Sequence, residues 1–448
     1  MKEKLSLKQY ALVGTMLFGM FFGAGNLIVP PMTGKLAGQQ VWSTMFFFCV
    51  TAVALPILGV IAVAKAGGLK NLADRVSPRF ARIFTIAIYL SIGPVLAIPR
   101  ASTVAFEMGV KPYLPAAFSE RIALFIYSVL FFAVVYWLAL NPGKLVERLG
   151  KMITPALLGL MLILFATALL TGMPPIETEA AATYQEHPGL TGLIDGYMTM
   201  DAIAALNFGI VISMVIRDFR ATEEKAIVRA TVKAGSFAGL LLALVYFTLA
   251  YLGAAGAGIF ADATNGAQIL SRLSSHLFGR GGAVLTGAIF TLACLSVSVG
   301  LITSSGEYFV LIHPRISYKT WVSIWTLLSL AFANIGLDAI LKYNVTVLYI
   351  LYPMAIVLIF LALVHHRLPA GRLIYRAPVY TALLISTVGA LATELGIEIP
   401  VVYPLFARLP LHDVKLSWLL PALLALGMGW VLKTGSGGRE ALRKKISE

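Results

Sequence analysis

Between Gly19 and Pro31 the chain reads Gly-Met-Phe-Phe-Gly-Ala-Gly-Asn-Leu-Ile-Val-Pro-Pro, which sets three glycines, an asparagine and two prolines in the middle and far end of a long apolar segment. A helix that opens inside lipid leaves N–H and C=O groups unpaired, at a cost of roughly several kcal/mol each. An opening here must therefore line something polar. If the helix ends near Phe22, the carbonyls of its last turn, from about Gly19 on, lose their partners and suit a cation. A second half-helix starting near Asn26 presents free N–H groups to the same space, and these suit a carboxylate. Helix packing through Gly19 and Gly23 is the plainer reading; it leaves Gly25, Asn26 and the double proline without a role.

A second interruption lies between residues 193 and 209. Asp195, Gly196, Thr199 and Asp201, and then Asn207-Phe208-Gly209, stand where a plain membrane helix would carry Leu and Val. A carboxylate near mid-membrane is expensive and is functional by default. Asp201 has three readings: partner of a substrate ammonium, carrier of a proton, or N-terminal acid of the second half of its helix. Free carbonyls around Gly196 to Met198 would serve an ammonium as well. Met198, Ala202, Ile203 and Phe208 are candidates for an apolar side-chain pocket, with ordinary packing as the alternative. Tyr89, Ser91, Gly93, Pro94 and Pro99 mark a bent, polar-seamed helix able to close the site. Arg100 and Glu107, seven apart on one face of that helix, are expected to anchor its outer end. Around Ala293, a turn of 100° per residue puts Ser296, Gly300, Thr303, Ser304 and Glu307 on one small and polar stripe, with Leu295, Val299 and Ile302 opposite. The stripe is expected to descend from mid-membrane to the cytoplasm, as an ion or substrate exit would, with small-residue helix packing as the alternative, and Ser298 points away from it.

The elements that must position these residues are membrane spans. A chain of 448 residues that is 59% hydrophobic and 12% charged cannot be hidden in one soluble core. Its mean hydropathy is +0.86. Stretches of roughly 20 apolar residues fall at about 9–33, 41–64, 82–108, 122–140, 152–172, 191–216, 234–257, 282–306, 320–337, 343–364, 378–396 and 416–432, twelve in all. The apolar run behind the basic start is too long for a signal peptide and lacks a cleavage site, so it is expected to be a retained first span. Cys49 and Cys294 both fall inside spans and read as small buried hydrophobes. Asn344-Val345-Thr346 matches a glycosylation sequon inside span ten, where no glycosyltransferase reaches.

The +14 net charge is distributed by loop: 26 of the 35 Lys and Arg residues lie on the side of the two termini and 8 on the other, with Arg100 inside a span. By the positive-inside rule both termini are cytoplasmic. The basic excess is thus topology and contact with anionic lipid, with no nucleic-acid footprint. The loops are too short to form a domain of their own.

Interruptions in spans one and six, which run in opposite directions, are what an inverted repeat of five plus five helices predicts. The corresponding divisions are 1–172, 173–366 and a C-terminal piece, 367–448. The stretch Phe18 to Pro31 resembles the opening of the bacterial branched-chain amino acid carriers, the LIVCS or BrnQ-type cation symporters. So do Gly196-Tyr197 with Thr199-Met200-Asp201-Ala202, the Asn207 to Val211 stretch, and Ala293-Cys294-Leu295 leading to Glu307-Tyr308-Phe309. The similarity runs from about residue 5 to the end.

This resemblance implies the leucine-transporter fold: an all-α polytopic membrane protein of twelve helices, ten in two inverted repeats and two more at the C-terminus, with helices 1 and 6 broken. It also implies uptake of leucine, isoleucine and valine with sodium across the bacterial cytoplasmic membrane. A proton-coupled symporter or an exchanger of other apolar amino acids is the alternative on the same fold. In the first break, Phe21, Ala24, Gly25 and Asn26 would face the substrate; in the second, Gly196, Tyr197, Met198, Thr199, Asp201 and Ala202. Sodium would be held by Gly19, Phe22, Ala293 and Ser296. The superfamily pattern asks for a second hydroxyl at position 297, where this chain has Val. A channel would need rings of charge or carbonyls along a pore, which the sequence does not show. A metalloenzyme would need clustered ligands, and the six histidines lack metal-ligand spacing. A transporter without a cofactor, and no enzyme, is the expectation.

Overall fold

The computed structural model describes residues 5–115, 117–219, 223–335, 337–369, 371–397, 400, 402–412 and 414–432. Lys2, Lys4, Arg220 and the basic C-terminal cluster of Lys433, Arg439, Arg443, Lys444 and Lys445 lie outside them. Regular structure among the described residues is helical. Span 1 is two half-helices, Leu7–Phe21 and Ala24–Ala37. Span 2 is Val41–Cys49 and Leu55–Ala66 around a π-helical turn; span 3 is Pro78–Leu90 and Ala97–Gly109 around another, where Gly93 leaves helical geometry at ψ −126°. Spans 4 and 5 are Glu120–Ala139 and Thr154–Thr171. Span 6 is Pro188–Tyr197 and Asp201–Asp218, bent by 43° at its break. Then come span 7 at Glu224–Ala255, span 8 at Arg280–Ile312, span 9 at Tyr318–Ala333, span 10 at Leu337–Leu363, span 11 at Leu373–Leu395 and span 12 at Leu419–Leu432.

Among the described residues, eight helices are individually long and apolar enough to cross a bilayer, and the bent pair of span 6 makes a ninth. Ala24–Ala66 runs as 43 helical residues. At about 1.5 Å per residue that is twice the hydrocarbon thickness. The chain turns at Gly38, whose φ of +47° suits only glycine and where a Cβ would collide with the Thr178 carbonyl. Span 1, which ends at Ala37, and span 2, which begins at Val41, are therefore separate crossings.

Three spans begin at a serine cap. Ser6 and Gln9 form a reciprocal capping box at the start of span 1, Ser77 caps Phe80 N–H at 3.2 Å ahead of Pro78, and Ser317 caps Thr320 N–H at 3.2 Å. Leu130, Leu162, Leu170, Leu240, Leu244 and Leu327 present an exposed apolar surface suited to lipid. Phe21, Phe208, Tyr246, Phe290 and their neighbours fill the interior.

The packing carries the inverted repeat. Span 1 lies on span 7 and span 6 on span 2; span 3 meets spans 9 and 10 while span 8 meets spans 4 and 5; span 1 meets span 5 and span 6 meets span 10. Every one of these contacts maps onto its counterpart when five is added to or subtracted from the span number. Spans 1 and 7 approach until their backbones touch. A Cβ on Gly34 would strike the backbone of Ala250, and one on Gly253 would strike that of Pro31.

Candidate substrate and ion site

The first break is shorter and earlier than the sequence implies. The inner half-helix ends at Phe21, and the outer half starts at Ala24 instead of near Asn26. The cause is Asn26, which sits one turn in and accepts the freed Gly23 N–H on its side-chain oxygen at 3.0 Å. That bond is the half of a capping box that a glycine at the cap still allows. Phe22 and Gly23 are left extended, at ψ 93° and −161°.

The second break has its local device on the carbonyl side, where the Thr199 hydroxyl donates to the Gly196 carbonyl at 2.8 Å. Pro188–Tyr197 ends in a tight turn closed by Met198 N–H and Met200 N–H, and Met200 takes φ 65°, a left-handed conformation unusual for a branched-free but bulky side chain. Asp201 is the first residue of the inner half-helix, with Met200 in the capping position and no side-chain cap. Its carboxylate reaches across to span 1 and span 7. It accepts from Asn26 Nδ2 at 2.6 Å and from the Tyr246 hydroxyl at 3.2 Å, and Asn26 Nδ2 also meets that hydroxyl. All three side chains are buried. Two broken helices and span 7 are thus tied through one carboxylate.

A cavity with about 590 Å³ of empty space opens at this junction. Phe21, Ala24, Gly25, Asn26, Thr199 and Asp201 line it, together with Met20, Arg100, Val297 and Leu301. Gly196, Tyr197, Met198 and Ala202 do not. Gly196 lies against the Phe48 carbonyl of span 2, Tyr197 packs on Tyr352 with ring centroids 4.0 Å apart, and Ala202 has no exposure. Ile203 and Phe208 are likewise fully buried, Phe208 edge-on to Phe21 at 5.5 Å. Gly25 has room around it, the nearest atom to a Cβ being the Thr199 carbonyl oxygen at 3.7 Å.

Arg100 does not anchor the end of span 3 as expected. Glu107 pairs with Lys111 at 3.0 Å at the outer end, whereas Arg100 turns into the cavity. Both residues lie on the uninterrupted helix Ala97–Gly109, beyond the bend, and share a face; about 10 Å of rise separates them, which leaves Arg100 beside the break in span 1 and Glu107 at the helix end.

Gly19, one turn before the break, marks a second convergence. A Cβ there would collide with Thr154 Oγ1 of span 5 and meet Ser296 Oγ of span 8 at 2.6 Å. Both hydroxyls are fully buried and neither has a hydrogen-bond partner. Buried hydroxyls without partners are unusual and ask for an explanation. Ala293, one turn before Ser296, is fully buried, as is Phe22. Val297 turns instead toward Gly23 and the cavity, 3.0 Å from where a Cβ would stand. Oxygen donors fit a hard cation, so the donor set suits sodium. Thr154 was invisible from sequence because nothing in a lone Thr-Pro at the start of a span distinguishes a ligand from a helix start.

The stripe on span 8 is not an open path. Leu295, Val299 and Ile302 on the opposite side are also buried, so this stretch is packed all round. Gly300 lies under Met20 and Phe208, and the Ser304 hydroxyl donates to Asn207 Oδ1 at 2.5 Å. Tyr89 stacks flat on Tyr308, centroids 4.0 Å apart. Beyond these residues a vestibule of about 2690 Å³ opens at the ends of spans 2, 6 and 8, lined by Arg82, Arg217, Asp218 and Glu224 among others.

Comparison with known proteins decides the family. The model of a family described as branched-chain amino acid transport protein matches residues 6–435. The chain belongs to that family. Among curated members, the branched-chain amino acid permease BraB of Bacillus subtilis is 41% identical over 99% of this chain and 100% of its own length. The branched-chain amino acid transport system 2 carrier protein of Pseudomonas aeruginosa is 44% identical over 92% and 93%. BrnQ of Escherichia coli is 35% identical over 98% of both chains. These relatives are named as permeases and carriers, and this member of the family is a transporter, not an enzyme. Two solved structures share its fold. A nucleobase-cation-symport-1 family transporter with bromovinylhydantoin bound gives a TM-score of 0.56 at 16% identity, covering 95% and 93% of the two chains. MhsT in complex with L-phenylalanine gives 0.53 at 14%, covering 95% and 100%. The fold is the leucine-transporter fold, a multi-pass membrane bundle.

Proposed function

We propose that the protein imports branched-chain amino acids by symport with sodium, holding the amino acid where the two broken helices meet. The observation that carries this reading is the single cavity shared by Ala24 and Gly25 on one break and Thr199 and Asp201 on the other, in a chain of this family. The first-turn N–H groups at Ala24 and Gly25 suit the carboxylate, and the Thr199 carbonyl, which faces Gly25 in the break of span 6, suits the ammonium. Sodium sits one turn deeper, between the carbonyls of Gly19, Phe22 and Ala293 and the hydroxyls of Ser296 and Thr154. Thr154 supplies from span 5 the hydroxyl that Val297 lacks.

The repeats in this reading are 1–172 and 173–366, followed by 367–448, and the basic face with both termini is cytoplasmic in a bacterial inner membrane. The test is leucine uptake into proteoliposomes under a sodium gradient, a proton gradient or neither. Uptake that follows sodium supports the reading; uptake that follows a proton gradient with sodium absent overturns it and gives Asp201 the coupling role. Ser296→Ala and Thr154→Val should each raise the sodium concentration for half-maximal uptake by about tenfold, equivalent to ~1.4 kcal/mol. Unchanged sodium dependence in both removes this cluster from the ion site.

A further inference from the structure

Arg100 is the one basic side chain among the described residues lining the cavity, and no hydrogen bond or ion pair engages its guanidinium. An arginine keeps its charge in proteins and offers five N–H donors. At membrane depth such a charge pairs with another group or faces a water-filled path, and it marks a functional site. Neither available carboxylate answers it. Glu107, on the same helix, is held by Lys111 at 3.0 Å, and Asp201, in the same cavity, accepts from Asn26 and Tyr246. The anion is therefore expected from outside the protein, in the space that Arg100 shares with Ala24 and Gly25.

We infer that Arg100 binds the carboxylate of the transported amino acid, completing with its guanidinium what the N–H groups of the outer half of span 1 begin. This rests on the reading of the cavity as the amino acid site. A planar guanidinium matches a carboxylate with two parallel bonds, which an ammonium cannot do. The pocket then selects α-amino acids over the corresponding amines and amides, because a ligand without a carboxylate leaves a buried charge unpaired.

The test compares leucine with leucinamide on purified, detergent-solubilised protein, by calorimetric titration in chloride and in gluconate. Wild type should bind leucine at least tenfold more tightly than leucinamide. In Arg100→Gln, leucine affinity should fall at least tenfold and the preference should vanish, while Arg100→Lys should keep part of it. On wild type alone, leucine but not leucinamide should slow phenylglyoxal modification of the peptide carrying Arg100, so the inference remains open to refutation should the Gln variant not fold. Full preference retained in Arg100→Gln, or no protection by leucine, overturns it. So does a chloride dependence that Arg100→Gln abolishes while the leucine preference stays, since the anion is then a halide. Failure of wild type to bind leucine at all refutes the broader reading of the cavity instead.

Discussion

Span 1 opens at Phe22 and Gly23, where the backbone is extended and the nearby Asn26 side chain accepts the freed N–H. Span 6 opens at Met198 to Met200 with no side-chain cap and with Met200 in the left-handed region. An L residue there costs roughly 1–2 kcal/mol. The first break is capped by a side chain of its own on a freed N–H; the second has only the Thr199 hydroxyl on the Gly196 carbonyl and is tied to its surroundings by Asp201 reaching Asn26 and Tyr246. The break in span 6 therefore depends on the break in span 1, and a ligand that contacts both reports on their joint geometry.

Removing the shared carboxylate should separate the two breaks most strongly. Asp201→Ala leaves the Tyr246 hydroxyl buried without an acceptor and the Asn26 amide with the Tyr246 oxygen alone, a loss of about 2–4 kcal/mol, read as a drop in melting temperature together with lost leucine uptake. Asp201→Asn keeps an acceptor oxygen and should melt close to wild type. Lost uptake in that variant assigns a role to the charge, whereas near-normal uptake makes Asp201 a structural tie.

A smaller effect is expected where span 1 meets span 7. Gly34→Ala pushes a methyl into the Ala250 backbone, and overpacking of this kind costs about 1–3 kcal/mol. If the outer half of span 1 positions both breaks, leucine affinity falls with stability; unchanged affinity would mean that the break tolerates a shifted half-helix.

The smallest effect is expected at Met200. Met200→Gly relieves left-handed strain but frees the unfolded chain, so the net change should be neutral or stabilising by up to about 1 kcal/mol. A destabilisation beyond about 1 kcal/mol, measured in the same melting assay, would show that the Met side chain itself shapes the break and that the contrast with span 1 is wrong.

The glycines and Asn26 made the first break legible in the sequence, down to which segment opens, because each residue acts on its own neighbourhood. The twelve spans were legible for the same reason: hydropathy is local. What the sequence withheld depends on angle and distance. Arg100 and Glu107 share a face of Ala97–Gly109, and only the packing of that helix beside the break in span 1 puts Arg100 at the cavity and leaves Glu107 at the helix end, which no periodicity anticipates. Gly196 carries the family resemblance, yet its lack of a side chain serves close packing against Phe48 and Thr51 of span 2 in the structure. Thr154 and Ser296 lie 142 positions apart and meet over Gly19 only once spans 1, 5 and 8 are packed.

The most direct test of the cavity is Gly25→Val. Gly25 has space for a Cβ, with the Thr199 carbonyl oxygen at 3.7 Å, so the fold should survive while the added methyl groups fill the place assigned to the substrate. Thermal stabilisation by leucine should be clear in wild type and absent in the variant, with equal melting temperatures before leucine is added. Equal stabilisation of both proteins by leucine would contradict the assignment of the amino acid to this junction.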